Sequence, residues 1–159
     1  MSAPGVAEAT ADAATVLAFD FGTRRIGVAI GNTVVRIAHP LTTIATEANT
    51  ERFAAIEALI GQWQPAALVV GVPLYADGTG HEMTSRAERF ARQLEGRFRL
   101  PVARADERYT THAAGLALTE AGLRGSARRA ARDAVAAQQI LQAWFDDPES
   151  RRSDARGTA

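Results

Sequence analysis

The sequence predicts an α/β fold built on one mixed five-stranded sheet with helices on both faces. Three observations carry this. Three short apolar runs open the chain, joined by links of about 2–4 residues, the length of β-hairpin connections. Helical periodicity then alternates with two further apolar runs, so those last two strands follow crossovers and run parallel. Finally, 159 residues and 16.9 kDa fit a single domain of roughly 100–200 residues.

The elements follow in order. Residues 1–14, MSAPGVAEATADAA, are small and read as a disordered lead with neither the basic nor the apolar region of a secretory signal. VLAFDF at 16–21 is the first strand and ends on a carboxylate; GTRR is a turn. IGVAIG at 26–31 and VVRIAH at 34–39 are the second and third strands. Asn49 or Thr50 can cap a helix carrying Phe53, Ile56, Leu59, Ile60 and Trp63 on one face, stopped by Pro65. AALVVGV at 66–72 suits a strand buried on both faces. PLYADGTGH at 73–81 is a loop. Thr79 and Glu82 fit a capping box for a helix with Met83, Ala87, Phe90, Ala91 and Leu94 inside. PVARA at 101–105 is the fifth strand. Thr110–Leu123 reads as a helix, Ser126 opens another that runs to about Asp146, and residues 148–159 read as a disordered tail. The ordered domain is thus 15–147.

Composition narrows the chemistry. The chain has no cysteine and no lysine, so its 18 basic residues are all arginine. Thiol nucleophiles, cysteine-bound zinc, a lysine Schiff base and a Walker-type phosphate lysine are excluded. The absence of cysteine fits a cytoplasmic protein, and no apolar run reaches the ~18–20 residues of a membrane span. Net charge is zero but uneven: residues 86–132 hold 11 Arg against 5 acids. Such a basic stretch is either a phosphate-binding face or two solvated helix surfaces.

Three carboxylates stand at unusual places. Asp20 ends an apolar strand. Glu107 directly follows the fifth strand. Asp133 lies in line with Ala136, Ala137, Ile140 and Trp144 on the inner face of the last helix. Ligands of open α/β sheets gather beyond the carboxyl ends of strands. Each acid alone has a structural explanation: Asp20 in the GTRR turn, Glu107 on Arg108 or Arg104, Asp133 on the helix dipole. Together they suit two-metal phosphodiester hydrolysis, with oxygen ligands for Mg²⁺ or Mn²⁺. Arg24, Arg25, Arg108, Arg124, Arg128 and Arg129 are candidates for phosphate contact, and Tyr75 for stacking on a base.

The motifs FDFGTRRIGVAIG, AHPLTT, GVPLYADGTGHEMT, ADERYTT and DAVAAQQILQAWFDD, in that order, resemble the YqgF family of bacterial ribonuclease H-like proteins. That family is associated with pre-16S rRNA processing and with Holliday junction resolvases. The resemblance spans about residues 16–147. It implies a ribonuclease H-like fold with sheet order 3-2-1-4-5, and a three-acid metal site whose acids fall on Asp20, Glu107 and Asp133. It implies an endonuclease acting on pre-16S rRNA or branched DNA, with the ribosome as a potential partner and a monomer or homodimer as the working unit. One departure is Gly31-Asn32, where many members carry Ser-Asp. Two other readings stay open: a nucleotide-binding domain, since DFGT resembles the first phosphate loop of actin-like ATPases, and a non-catalytic RNA- or protein-binding module of the same fold. His39, His81 and His112 lack metal-ligand spacing and read as surface residues.

Overall fold

The computed structural model describes residues 14–109, 125–147 and 151–152. Strands β1 (Thr15–Phe21), β2 (Ile26–Asn32) and β3 (His39–Ile44) form an antiparallel meander. Helix α1 (Asn49–Trp63) leads to β4 (Ala67–Val72), and α2 (Glu82–Phe98) to β5 (Val102–Asp106). A 3₁₀ turn, Glu107–Tyr109, leaves β5, and α3 (Gly125–Asp146) closes the main fold. The sheet order is β3-β2-β1-β4-β5-β6, as expected with one strand added. β6 is the pair Arg151–Arg152, antiparallel to β5. These two residues lie in the stretch expected to be a structureless tail. Their polar side chains concealed the pairing, which uses main-chain groups at the sheet edge.

Alternation along β1 sorts the core. Leu17 and Phe19 face α1 and α2, packing with Phe53, Ile56, Phe90 and Leu94. Val16 and Ala18 face α3, packing with Ala137, Ile140, Leu141 and Phe145. Both faces are buried, so the strand is apolar throughout instead of alternating. Each of the large side chains here contributes about 1.5–3 kcal/mol by burial. Gly27 brings α3 close: a Cβ there would overlap the Asp133 carbonyl. No helix among the described residues is long and apolar enough to cross a membrane.

Several expectations shift. The third strand is His39–Ile44, not 34–39. The Asn32 side chain accepts from the N–H groups of Val34 (2.7 Å) and Val35 (3.0 Å), and Arg36 sits at φ 62°. This local turn overrides the β propensity of Val34, Val35 and Ile37 and leaves all three exposed. The cap of α2 is His81, whose N–H donates to Thr84 Oγ1 at 2.9 Å. Thr79 is occupied by Asp77 (2.7 Å between side chains), so the expected Thr79–Glu82 box does not form. Thr84 also bonds the Pro73 carbonyl and is buried in place of Met83. Helix α1 starts at Asn49 with Ala48 at its cap position and no side-chain cap. The Thr110–Leu123 helix, Arg124 and His112 lie outside the described residues.

Candidate active site

β1, β4 and β5 are parallel, so their carboxyl ends share one edge. Asp20, on the α3 face of β1, and Glu107, the first residue beyond β5, flank the end of β4. Between them β4 carries Gly71. A Cβ at Gly71 would lie 2.7 Å from Glu107 Oε2, so the missing side chain makes the space the carboxylate occupies. Sequence reasoning missed this residue. Its signal was a glycine inside the otherwise branched run LVVGV.

The electrostatics of the two acids match their placement. Burial, then the charge of Asp133, lifts the Asp20 carboxyl from 3.8 to about 7. Burial, then Asp20, then Asp106, lifts Glu107 from 4.5 to about 8. Asp20 and Asp133, and Asp20 and Glu107, therefore sense one another as like charges. The first turns of α3 deliver Asp133 over β2, where Gly27 lets the backbones meet. Its Oδ2 accepts from Arg25 Nε. Asp133 is held by Arg25, and among the described residues no three acids or histidines close into a ready-made cation cage.

The chemistry of the donors nonetheless fits a hard divalent cation. All are oxygen donors, and two are half-buried carboxylates whose charged forms are disfavoured where they stand. A divalent cation would relieve that penalty as it bound.

The other candidates divide. Arg24 is exposed on the β1–β2 turn. Arg25 is half-exposed and engaged with Asp133. Arg108 is held by Asp106, Nη2 to Oδ2 at 2.5 Å, and its Nη1 donates to the Ala76 carbonyl at 3.2 Å. It ties the 73–81 loop to the end of β5, which makes it a positioning residue. Asp106, not Glu107, thus takes the arginine, because successive residues leaving a strand face opposite ways. Tyr75 is exposed, its ring 4.7 Å from the His81 ring. Its loop is closed by Gly78 at φ 93°. Arg128 and Arg129 lie on the N-terminal part of α3, about one turn before Asp133, with Arg129 exposed. Asn32 pairs with Thr15 at the opposite end of β1 from Asp20, so it shapes the β2–β3 turn and has no part in the acidic edge.

A family model described as RuvX, Holliday junction resolvase, matches residues 14–147. The chain belongs to the RuvX family. A RuvX relative in Nitrosomonas europaea, named "Putative pre-16S rRNA nuclease", is 58% identical over 137 residues, spanning 86% of this chain and 93% of that protein. One of the same name in Dechloromonas aromatica is 56% identical over 134 residues, 84% of this chain and 92% of that one. Among solved structures, Thermus thermophilus RuvC in complex with a Holliday junction substrate aligns at TM-score 0.52 and 17% identity. It covers 87% of this chain and 98% of that one, and the likeness is one of fold. The ribonuclease H-like fold and the family resemblance read from the motifs both stand.

Proposed function

We propose that this RuvX protein is a metal-dependent endonuclease that matures the 5′ region of pre-16S rRNA. The observation that carries the proposal is the pair of half-buried carboxyls, Asp20 and Glu107, which repel one another at the sheet edge on either side of the end of β4. The names of the relatives and the family support it. Asp20, Glu107 and Asp133 would hold two divalent ions, Mg²⁺ or Mn²⁺. When bound, these supply activation of the attacking water and stabilisation of the leaving oxygen.

The chain's own residues do the rest. To serve as ligands, Asp20 and Glu107 would shed their protons, Asp20 near pH 7 and Glu107 near pH 8. Arg25 holds the Asp133 carboxylate in place at the edge. Arg128 and Arg129, with Arg24, offer cations to the phosphate backbone beside the acids. Arg108 fixes the loop that carries Tyr75. A second reading, cleavage of branched DNA, is favoured by the family's description as a Holliday junction resolvase.

The test is cleavage of labelled pre-16S rRNA and of a four-way DNA junction, in Mn²⁺ or EDTA, by wild type and by Asp20→Asn. RNA cleavage that needs the metal and Asp20 is the expected result. Preferential cutting of the junction would move the assignment to the second reading. Equal cutting by Asp20→Asn would remove the acidic site from the chemistry.

A further inference from the structure

On the sheet face opposite α3, a cavity of about 250 Å³ opens at the same carboxyl edge. Phe21, the residue after Asp20, forms part of its wall and lies 4.9 Å from Phe90 by ring centroid. Three guanidinium groups line it, Arg52, Arg86 and Arg89, against one carboxylate, Glu47.

Arg52 sits where a cation is costly: it is 4% exposed. Its Nε donates to the Thr46 carbonyl at 2.6 Å and its Nη2 to the Gly22 carbonyl at 2.8 Å. These bonds fix the guanidinium between the loop before α1 and the β1–β2 turn, above the Phe21 ring. Nη1 makes no hydrogen bond among the described residues and is left for the cavity. Arg89 forms no ion pair among them either, while Arg86 is paired on the surface with Glu82 at 2.8 Å. Asn49, at the start of α1, lines the same cavity, and α1 has no side-chain cap. Its first-turn N–H groups therefore favour an anion there.

We propose that this cavity seats a phosphate of the nucleic-acid strand that neighbours the phosphate presented to Asp20 and Glu107. Consecutive residues of β1 point to opposite faces, so Asp20 serves one side of the edge and Phe21 the other. A strand bent over the β1–β2 turn meets the acids first and the arginines next. Phe21 gives its sugar or base an apolar surface beside the guanidiniums. The inference rests on the nucleic-acid reading above, but on different residues.

The experiment uses full-length Asp20→Asn protein, so that no probe is cut. It is titrated with adenosine 5′-monophosphate and with a short single-stranded oligoribonucleotide, while amide signals are followed by NMR. Shifts at Thr23, Asn49 and Gln93 are expected with both probes. Adding Arg86→Ala and Arg89→Ala, both exposed positions, should abolish them and lower the salt slope of oligonucleotide affinity by about one for each phosphate the variant no longer neutralises. Silent amides, or an unchanged slope, overturn the proposal. So does a site that takes the monophosphate while the oligonucleotide slope stays the same. Amide shifts in a protein whose wild type cuts nothing would sink the nuclease reading and leave the pocket standing. Cleavage with silent amides would do the reverse.

Discussion

Replacing Asp20 with Asn should stabilise the metal-free fold while abolishing cleavage, and the gain should grow with pH. Folding raises the Asp20 carboxyl from 3.8 to about 7. The unfolded chain therefore gives up this proton more readily than the native one. Ionisation works against the fold once pH passes the unfolded value, and its penalty levels off above about 7. A shift of about three units, at roughly 1.4 kcal/mol each, amounts to about 4 kcal/mol at pH 8. At pH 5 the native carboxyl is still protonated, and the same linkage gives only about 2 kcal/mol. Asn keeps the shape without the charge, and also removes a like charge from Glu107. Urea unfolding in EDTA at the two pH values measures the effect. The variant should gain about 2 kcal/mol more at pH 8 than at pH 5. An equal gain at both, or a loss at pH 8, would refute the claim that a half-buried, repelled carboxylate sits there.

Gly71→Ala should press a methyl group on Ile140 Cδ1 and on Glu107, costing about 1–3 kcal/mol by overpacking and lowering cleavage far more than substrate affinity. Thermal unfolding beside single-turnover rates would separate the two. Arg108→Ala should leave Asp106 buried without its arginine, a loss of about 3 kcal/mol read by urea unfolding. It should also raise proteolysis within residues 73–81. Mn²⁺ affinity, read by calorimetry, should climb with pH and flatten above about 8, as Asp20 and Glu107 shed their protons. Affinity that is flat from pH 6 to 9 would place the metal elsewhere.

Much of this was legible because it is written in runs and periods. The strand around Asp20 is an apolar run, and the stripe beneath Asp133 has the period of a helix. What escaped detection depends on contacts between distant residues. The displaced third strand turns on one side-chain oxygen, Asn32 Oδ1, binding two main-chain N–H groups. Arginine partners were equally hidden. Arg25 finds Asp133 across more than a hundred residues, and Arg108 takes Asp106 in place of a phosphate. Gly71 and Gly27 matter for what would collide with a side chain there, which no local pattern announces. Arg52 sits in an amphipathic helix among polar neighbours, and only the fold reveals that it is buried.

Asp133 reaches the edge on a helix near the far end of the chain, seated against Gly27 near its beginning. That has a consequence for synthesis. A polypeptide leaving the ribosome has made Asp20 and then Glu107, and all the strands that pair β1 with β4 and β4 with β5, before α3 exists. Until α3 docks, the third acid is missing and Arg25 has no partner. A nascent chain therefore holds Asp20 and Glu107 without Asp133 beside them until α3 has been made and has docked against Gly27.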